Sequence, residues 1–289
     1  MPTPFIYLLV TLIWGSSWMA ITYQYGVVSE ELSVAYRFFI ASMALFAYAI
    51  FKGDKLHIKL SYYPMIFLMG STMFCLNYLF TYYGMNYVVS GLAAVLFSLI
   101  VIFNALFERI FFAKKIEKRI LVAAIIGIIG IIFLFWPELK NIKNSNQSII
   151  GGFWLFTAVI IASLGNMTAI VNTNKNLSIV IINAHAMLCG SILSFLIALA
   201  LKRPIVFELT ASYIISLLYL SIAASAITFG CYLMLIKKIG STRTAYITLL
   251  FPVVALLIST LIGEYQWTIY AIFGVLLILA GTYLALPKK

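Results

Sequence analysis

Ten stretches of about twenty residues, nearly free of charge, leave this chain little choice of solvent. They run roughly 4–24, 33–51, 63–83, 90–112, 119–136, 150–171, 179–201, 211–235, 243–263 and 268–286. Each is close to the ~20 apolar residues that carry a helix across the hydrocarbon core of a bilayer. In that core a backbone must satisfy its own hydrogen bonds, which favours helices over open sheet. The expected fold class is therefore an all-α membrane protein with ten transmembrane helices. Charge closes the soluble alternative, because only 9% of the 289 residues are charged, against about a quarter in a soluble domain. The first run has no basic leader and no small-residue cleavage site, so it is expected to be a retained span. Cys75, Cys189 and Cys231 sit singly inside apolar runs and read as small buried residues, not a disulfide framework.

The net charge of +11 points to membrane orientation and not to nucleic acid, because the basic residues lie in short connections between runs. With the N-terminus taken as cytoplasmic, fourteen of the 19 Lys and Arg fall on the cytoplasmic side. Four fall outside (Lys140, Lys143, Lys202, Arg203), and Arg37 lies within a run. Such a bias places both termini in the cytoplasm for an even number of spans. Ile, Lys and Asn usage fits a bacterial genome, and the expected location is the inner (plasma) membrane.

The chain also resembles itself. Val89–Ala94 aligns with Gly240–Ala245 at an offset of 151, which also pairs Gly130 with Gly281; at 149, Ala20-Ile21 meets Ala169-Ile170 and Ser42 meets Ser191. A constant offset maps runs one to five onto six to ten. Five is odd, so the second copy enters the membrane from the opposite side. The expected organisation is two inverted five-helix repeats, 1–137 and 150–289, with an external linker at 138–149. Inverted repeats around a midplane site are the recurrent plan of secondary transporters.

Trp14-Gly15-Ser16-Ser17, Arg37-Phe38, and Pro252 followed by Gly263-Glu264 resemble the EamA-type family of the drug/metabolite transporter superfamily over essentially the whole chain. The resemblance implies ten helices, cytoplasmic termini, a cavity lined by spans one to four and six to nine, and export, for the most part, of amino acids and related metabolites. The first half departs from the pattern. Val101 stands at the position paired with Pro252, and Ala113-Lys114 replaces the Gly-Glu that often follows span four.

Polar residues at helical spacing mark a water-accessible path through apolar helices. Ser221, Ser225, Thr228 and Tyr232 form such a stripe in the eighth run. Asn77 and Thr81 share a face in the third, with Tyr78 and Tyr82 beside it. Adding Trp14, Ser17 and Trp18 from the first run, Asn104 from the fourth, Asn166 from the sixth and His185 from the seventh gives the expected substrate cavity. Interhelical hydrogen bonding is the competing reading for each residue taken alone. Arg37 is expected near the outer end of the second span. There it either snorkels, pairs with Glu30 or Glu31 as a gate, or grips a substrate carboxylate. Glu108 reads as a gate or salt-bridge residue at the cytoplasmic end, and Pro252 as a hinge that kinks the ninth span. Gly127, Gly130, Gly274 and Gly281 read as scaffold or as a homodimer face.

No phosphate-binding glycine loop, metal-ligand cluster or cofactor motif is present in the sequence, so no cofactor is expected, and nucleic acid is not an expected partner. The expected partners are a small-molecule solute and the lipid bilayer. The leading expectation is a secondary transporter that exports small organic metabolites such as amino acids by alternating access, and not an enzyme. The alternatives are a polyspecific drug or cation efflux carrier, a passive scaffold, and a membrane-embedded lipid-modifying enzyme. For the enzyme, His57 with Asp54 and Lys55 offers no defensible catalytic motif.

Overall fold

The computed structural model describes residues 3–87, 93, 96–97, 99–134, 136, 146–174, 177–261 and 267–285. Gly263-Glu264, most of the 138–149 linker and the start of the fourth run lie outside them. Among the described residues every regular element is helical. The chain begins with α1 (Thr3–Thr22) and α2 (Glu30–Phe51). It continues through α3 (Tyr63–Met69), a π-helical segment Gly70–Leu76, and α4 (Asn77–Met85). Then come α5 (Ile100–Phe112), α6 (Lys118–Leu134), α7 (Asn146–Thr173) and α8 (Ile179–Ala200). The last part holds α9 (Ala211–Leu218), a second π-helical segment Tyr219–Ile227, α10 (Thr228–Ile239), α11 (Ser241–Ala245), α12 (Ile247–Leu261) and α13 (Ile269–Ala285). Among the described residues six helical stretches are long and apolar enough to cross a membrane: 3–22, 30–51, 60–85, 149–173, 179–200 and 211–239.

Local chemistry sets several boundaries. Ser29 caps α2 by accepting from the Leu32 N–H at 3.4 Å, with Glu30 and Glu31 in the first turn, where carboxylates favour the helix dipole. Thr210 does the same for α9 through the Tyr213 N–H. Gly240, at φ +86°, breaks the chain between α10 and α11. Ala113 ends α5 at φ +53°, a left-handed conformation that costs a non-glycine residue about 1–2 kcal/mol. This is the position where the sequence departs from the glycine of the family pattern.

The offset seen in the sequence reappears as reciprocal contacts. Ser42 Oγ donates to the Ala184 carbonyl at 2.7 Å, and Ser191 Oγ to the Ala35 carbonyl at 2.8 Å; the second donor lies 149 residues after the first, and the second acceptor 149 residues before the first. A Cβ on Gly130 would meet Ile278 N at 2.8 Å and Gly274 O at 2.9 Å. One on Gly281 would meet Gly127 N at 3.0 Å and Ala123 O at 2.8 Å, which is the same contact shifted by 151. As the residue number rises along α2 its partner number falls along α8, and likewise for α6 and α13. Equivalent helices therefore run antiparallel, as two copies inserted in opposite senses require. The remaining packing follows the same two-fold: α1 lies on α12 as α7 lies on α5, and α10 on α1 as α4 on α7. The π segments also correspond, starting at Gly70 and Tyr219.

The glycines of α6 and α13 are thus spent inside the chain, where they let two backbones approach. That small-residue face, read as scaffold or dimer surface, closes an intramolecular crossing. Gly70 and Gly190 do the same between the first π segment and α8, where a Cβ on Gly70 would meet the Ala186 carbonyl at 2.4 Å.

Candidate functional site

The two halves enclose a central cavity of about 110 Å³, lined from α1, α2, the first π segment, α4, α5, α7, α10 and α12. At roughly 10–15 Å³ for each water centre it holds several waters or part of a small solute. Of the sequence-selected residues, Trp14, Ser17, Trp18, Arg37, Asn77, Tyr78, Asn166 and Tyr232 line it together.

Aromatic packing shapes the walls. The Trp14 ring lies 5.1 Å from Phe229 and 4.9 Å from Tyr232, and its Nε1–H donates to the Ala224 carbonyl at 3.1 Å. Trp18 packs on Phe251 and Phe97 at 5.4 and 6.0 Å. Asn166 is held at both ends of its amide: Nδ2 donates to Asn104 Oδ1 at 3.2 Å, and Oδ1 accepts from the Tyr232 hydroxyl at 3.2 Å.

Arg37 corrects an expectation. It neither snorkels nor pairs with Glu30 or Glu31; it is 1% exposed and faces the cavity. Glu31 is engaged instead by Tyr83 and Arg203, and Glu30 by Asn86. The Arg37 Nε–H donates to Ser225 Oγ at 2.9 Å, and its guanidinium carbon lies 4.6 Å from the Tyr78 ring centre. Its Nη1 has no hydrogen-bond partner, nor has the buried Oδ1 of the lining residue Asn77. No carboxylate lines this cavity among the described residues, so its field is positive.

Several expected lining residues stand behind the wall. Ser225 is fully buried and reaches Arg37 instead of the cavity. Thr228 donates to its own helix, at the Ala223 carbonyl. Tyr82 is fully buried and donates to Gln24 Oε1 at 3.0 Å. His185 lies outside the cavity, edge-on to Phe46 and Tyr63, with Nδ1 3.0 Å from the Ile181 carbonyl. Pro252 is buried within α12 beside the lining residue Phe251. The wall residues that the polar search passed over are mostly apolar: Ile21, Met73, Phe97, Ile100, Ala162, Phe229 and Phe251, with Thr248 and the already noted Thr81.

One turn below the cavity on α5, the fully buried Asn104 also accepts from Ser163 Oγ at 2.6 Å and donates to the Ser241 carbonyl at 3.3 Å. One turn further, Glu108 Oε1 accepts from the Ser241 N–H at 3.1 Å, the Ser241 hydroxyl and the Thr242 N–H at 3.3 Å. Its Oε2 lies 3.5 Å from Lys114 Nζ. Arg243 pairs with Glu117 at 2.9 Å and accepts from the Tyr7 hydroxyl at its carbonyl. This end of the cavity is therefore shut by a polar latch between the halves. The salt bridge expected of Glu108 is its weaker contact, and its chief partner is the start of α11. No group of three His, Cys, Asp or Glu able to hold a metal occurs among the described residues.

The EamA-like transporter family model matches residues 2–136 and, a second time, 149–286. The chain belongs to the EamA-like transporter family. It is similar to the uncharacterized transporter YoaV of Bacillus subtilis, with 27% identity over 281 residues that cover 95% of this chain and 93% of that one. Protein PagO of Salmonella typhimurium is 22% identical, covering 98% and 92%. The uncharacterized inner membrane transporter YedA of Escherichia coli is 26% identical, covering 96% and 90%. A solved structure described only as the crystal structure of a protein shares the fold, with a TM-score of 0.82 at 17% identity, covering 98% of this chain and 96% of that one. This EamA-like chain is accordingly a multi-pass protein of the inner membrane, with a two-repeat helical fold that serves membrane transport.

Proposed function

We propose that this transporter exports small carboxylate-bearing metabolites, amino acids foremost, by alternating access through the central cavity. One observation carries the reading: Arg37 lines the cavity with a buried, unpaired Nη1, and no carboxylate among the described lining residues neutralises it. A buried guanidinium in that state gains most from a ligand carboxylate, which accepts charge-assisted hydrogen bonds. The unpaired acceptor Asn77 Oδ1 and the faces of Trp14, Trp18 and Tyr78 suit an ammonium group and an apolar side chain on the same solute. The same field disfavours the alternative of a cation carrier.

The Glu108–Ser241 latch is the gate at one end, with Pro252 and the paired π segments as the flexible points around which the halves rock. The excess of Lys and Arg on the connections at the latched end supports that end, and both termini, as cytoplasmic. Outward direction rests on the family resemblance. The test is a thermal-shift screen of the purified chain against amino acids, organic acids, nucleosides and cationic drugs. A ligand that binds only the folded protein raises the melting temperature by mass action. A dose-dependent shift from carboxylates, absent with cations, is expected; a shift from cationic drugs alone would sink the assignment.

A further inference from the structure

A second cavity of about 200 Å³ opens at the latched end, and transport through the central site gives it no task. Its polar wall is Glu108, Lys114, Lys115 and Glu117 from the first half and Thr242 and Arg243 from the second. Both carboxylates are already engaged, Glu108 by Ser241 and Thr242 and Glu117 by Arg243. Lys115, in contrast, forms no ion pair with a carboxylate among the described residues. Thr242, a residue of the cavity wall, is 5% exposed, and its buried hydroxyl has no hydrogen-bond partner. A buried unpaired hydroxyl costs about 1–3 kcal/mol, so it marks a place where an acceptor belongs.

We propose that this cavity binds a phosphate group, brought either by a phospholipid headgroup or by a soluble phosphate. The donors that remain are the Lys115 ammonium, a threonine hydroxyl, and the N–H groups that Lys114 and Arg243 do not give to Glu108 and Glu117. They line one cavity from both halves of the chain, an arrangement that suits a tetrahedral oxyanion better than a planar carboxylate. The surrounding Lys118, Arg119, Lys237 and Lys238 concentrate anions at this end, and basic pockets between transmembrane helices are where lipid phosphates are held. Because the wall comes from both halves, the occupant bridges them. It binds the latched conformation and draws the population toward it.

The test uses the full chain in a neutral detergent and follows thermal unfolding in two titrations. One adds inorganic phosphate against chloride at equal ionic strength; the other adds phosphatidylglycerol against phosphatidylcholine. Wild type and Arg37→Gln are expected to show the same saturable rise, whereas Lys115→Gln and Thr242→Val should need at least tenfold more of the probe. Lys115 is exposed, so its variant keeps the test valid even if the threonine variant folds poorly. A response to the lipid alone assigns a headgroup site, a response to phosphate alone a soluble ligand, and a response to both the group itself. No rise with either probe, or a rise unchanged by Lys115→Gln, or one abolished by Arg37→Gln, would overturn the proposal.

Discussion

Arg37→Gln separates a binding residue from a structural one. Burying a guanidinium in a membrane protein costs several kcal/mol after relaxation. Against this, the structure sets a hydrogen bond to Ser225, the Tyr82 hydroxyl, and the ring faces of Tyr78 and Phe38, at 4.6 and 5.4 Å from the guanidinium carbon. A hydrogen bond from a charged group is worth about 1.5–3 kcal/mol, and a desolvated cation–π pair up to about 2 kcal/mol. Gain and penalty nearly cancel, so glutamine should leave the ligand-free protein as stable as wild type within about 1 kcal/mol, or roughly 3 °C in melting temperature. The solute, however, loses at least one charge-assisted bond to Nη1. That is again about 1.5–3 kcal/mol, or roughly 10- to 150-fold in affinity. The assay pairs thermal unfolding of the empty protein with concentration-dependent flux in proteoliposomes. A fall of ten degrees or more together with lost flux would make Arg37 a packing residue. Unchanged flux would remove it from the solute path.

Trp14→Phe keeps the ring but deletes the bond to the Ala224 carbonyl; it should reduce flux severalfold with melting within a few degrees of wild type, and equal loss of expression and activity would place Trp14 in packing instead. Glu108→Ala removes the acceptor of three donors from Ser241 and Thr242; it should destabilise by about 2–4 kcal/mol and speed modification, by a water-soluble thiol reagent, of a cysteine placed at Ser163 in a cysteine-free background. Gly190→Ala would press a Cβ to 2.8 Å from the Gly70 carbonyl, and such overpacking should cost about 1–3 kcal/mol, visible as a lower unfolding temperature. Ala113→Gly relieves the φ of +53° and should stabilise by about 0.5–1 kcal/mol after the entropy of glycine in the unfolded chain is counted.

The repeat was legible because small polar and glycine residues pin helix crossings. Ser42 with Ser191 and Gly130 with Gly281, paired by offset alone, make the same contacts in opposite senses. Arg37 was misplaced for a local reason. The helix starts at Glu30, held by the Ser29 cap, and not at 33, so Arg37 sits seven residues in, about 10 Å along the axis, where its guanidinium turns to Ser225 and Tyr78. The stripe of the eighth run was read with α-helical spacing, but a π segment spans Tyr219–Ile227. Ser225 and Thr228 therefore turn to Arg37 and to the backbone, and only Tyr232 reaches the cavity. His185 shows that period alone does not say which neighbour a polar face meets. The aromatic wall of Phe97, Phe229 and Phe251 escaped notice because an apolar residue in a membrane helix carries no mark that separates cavity from lipid.

The central claim is that a carboxylate on the solute is held by Arg37. The most direct measurement is flux in proteoliposomes for a matched set: an amino acid, its decarboxylated amine and its carboxamide. The account predicts saturable transport of the acid, at least tenfold weaker transport of the amine and amide, and loss of that preference in Arg37→Gln. Equal transport of all three by the wild type, or an unchanged preference in the variant, would contradict it.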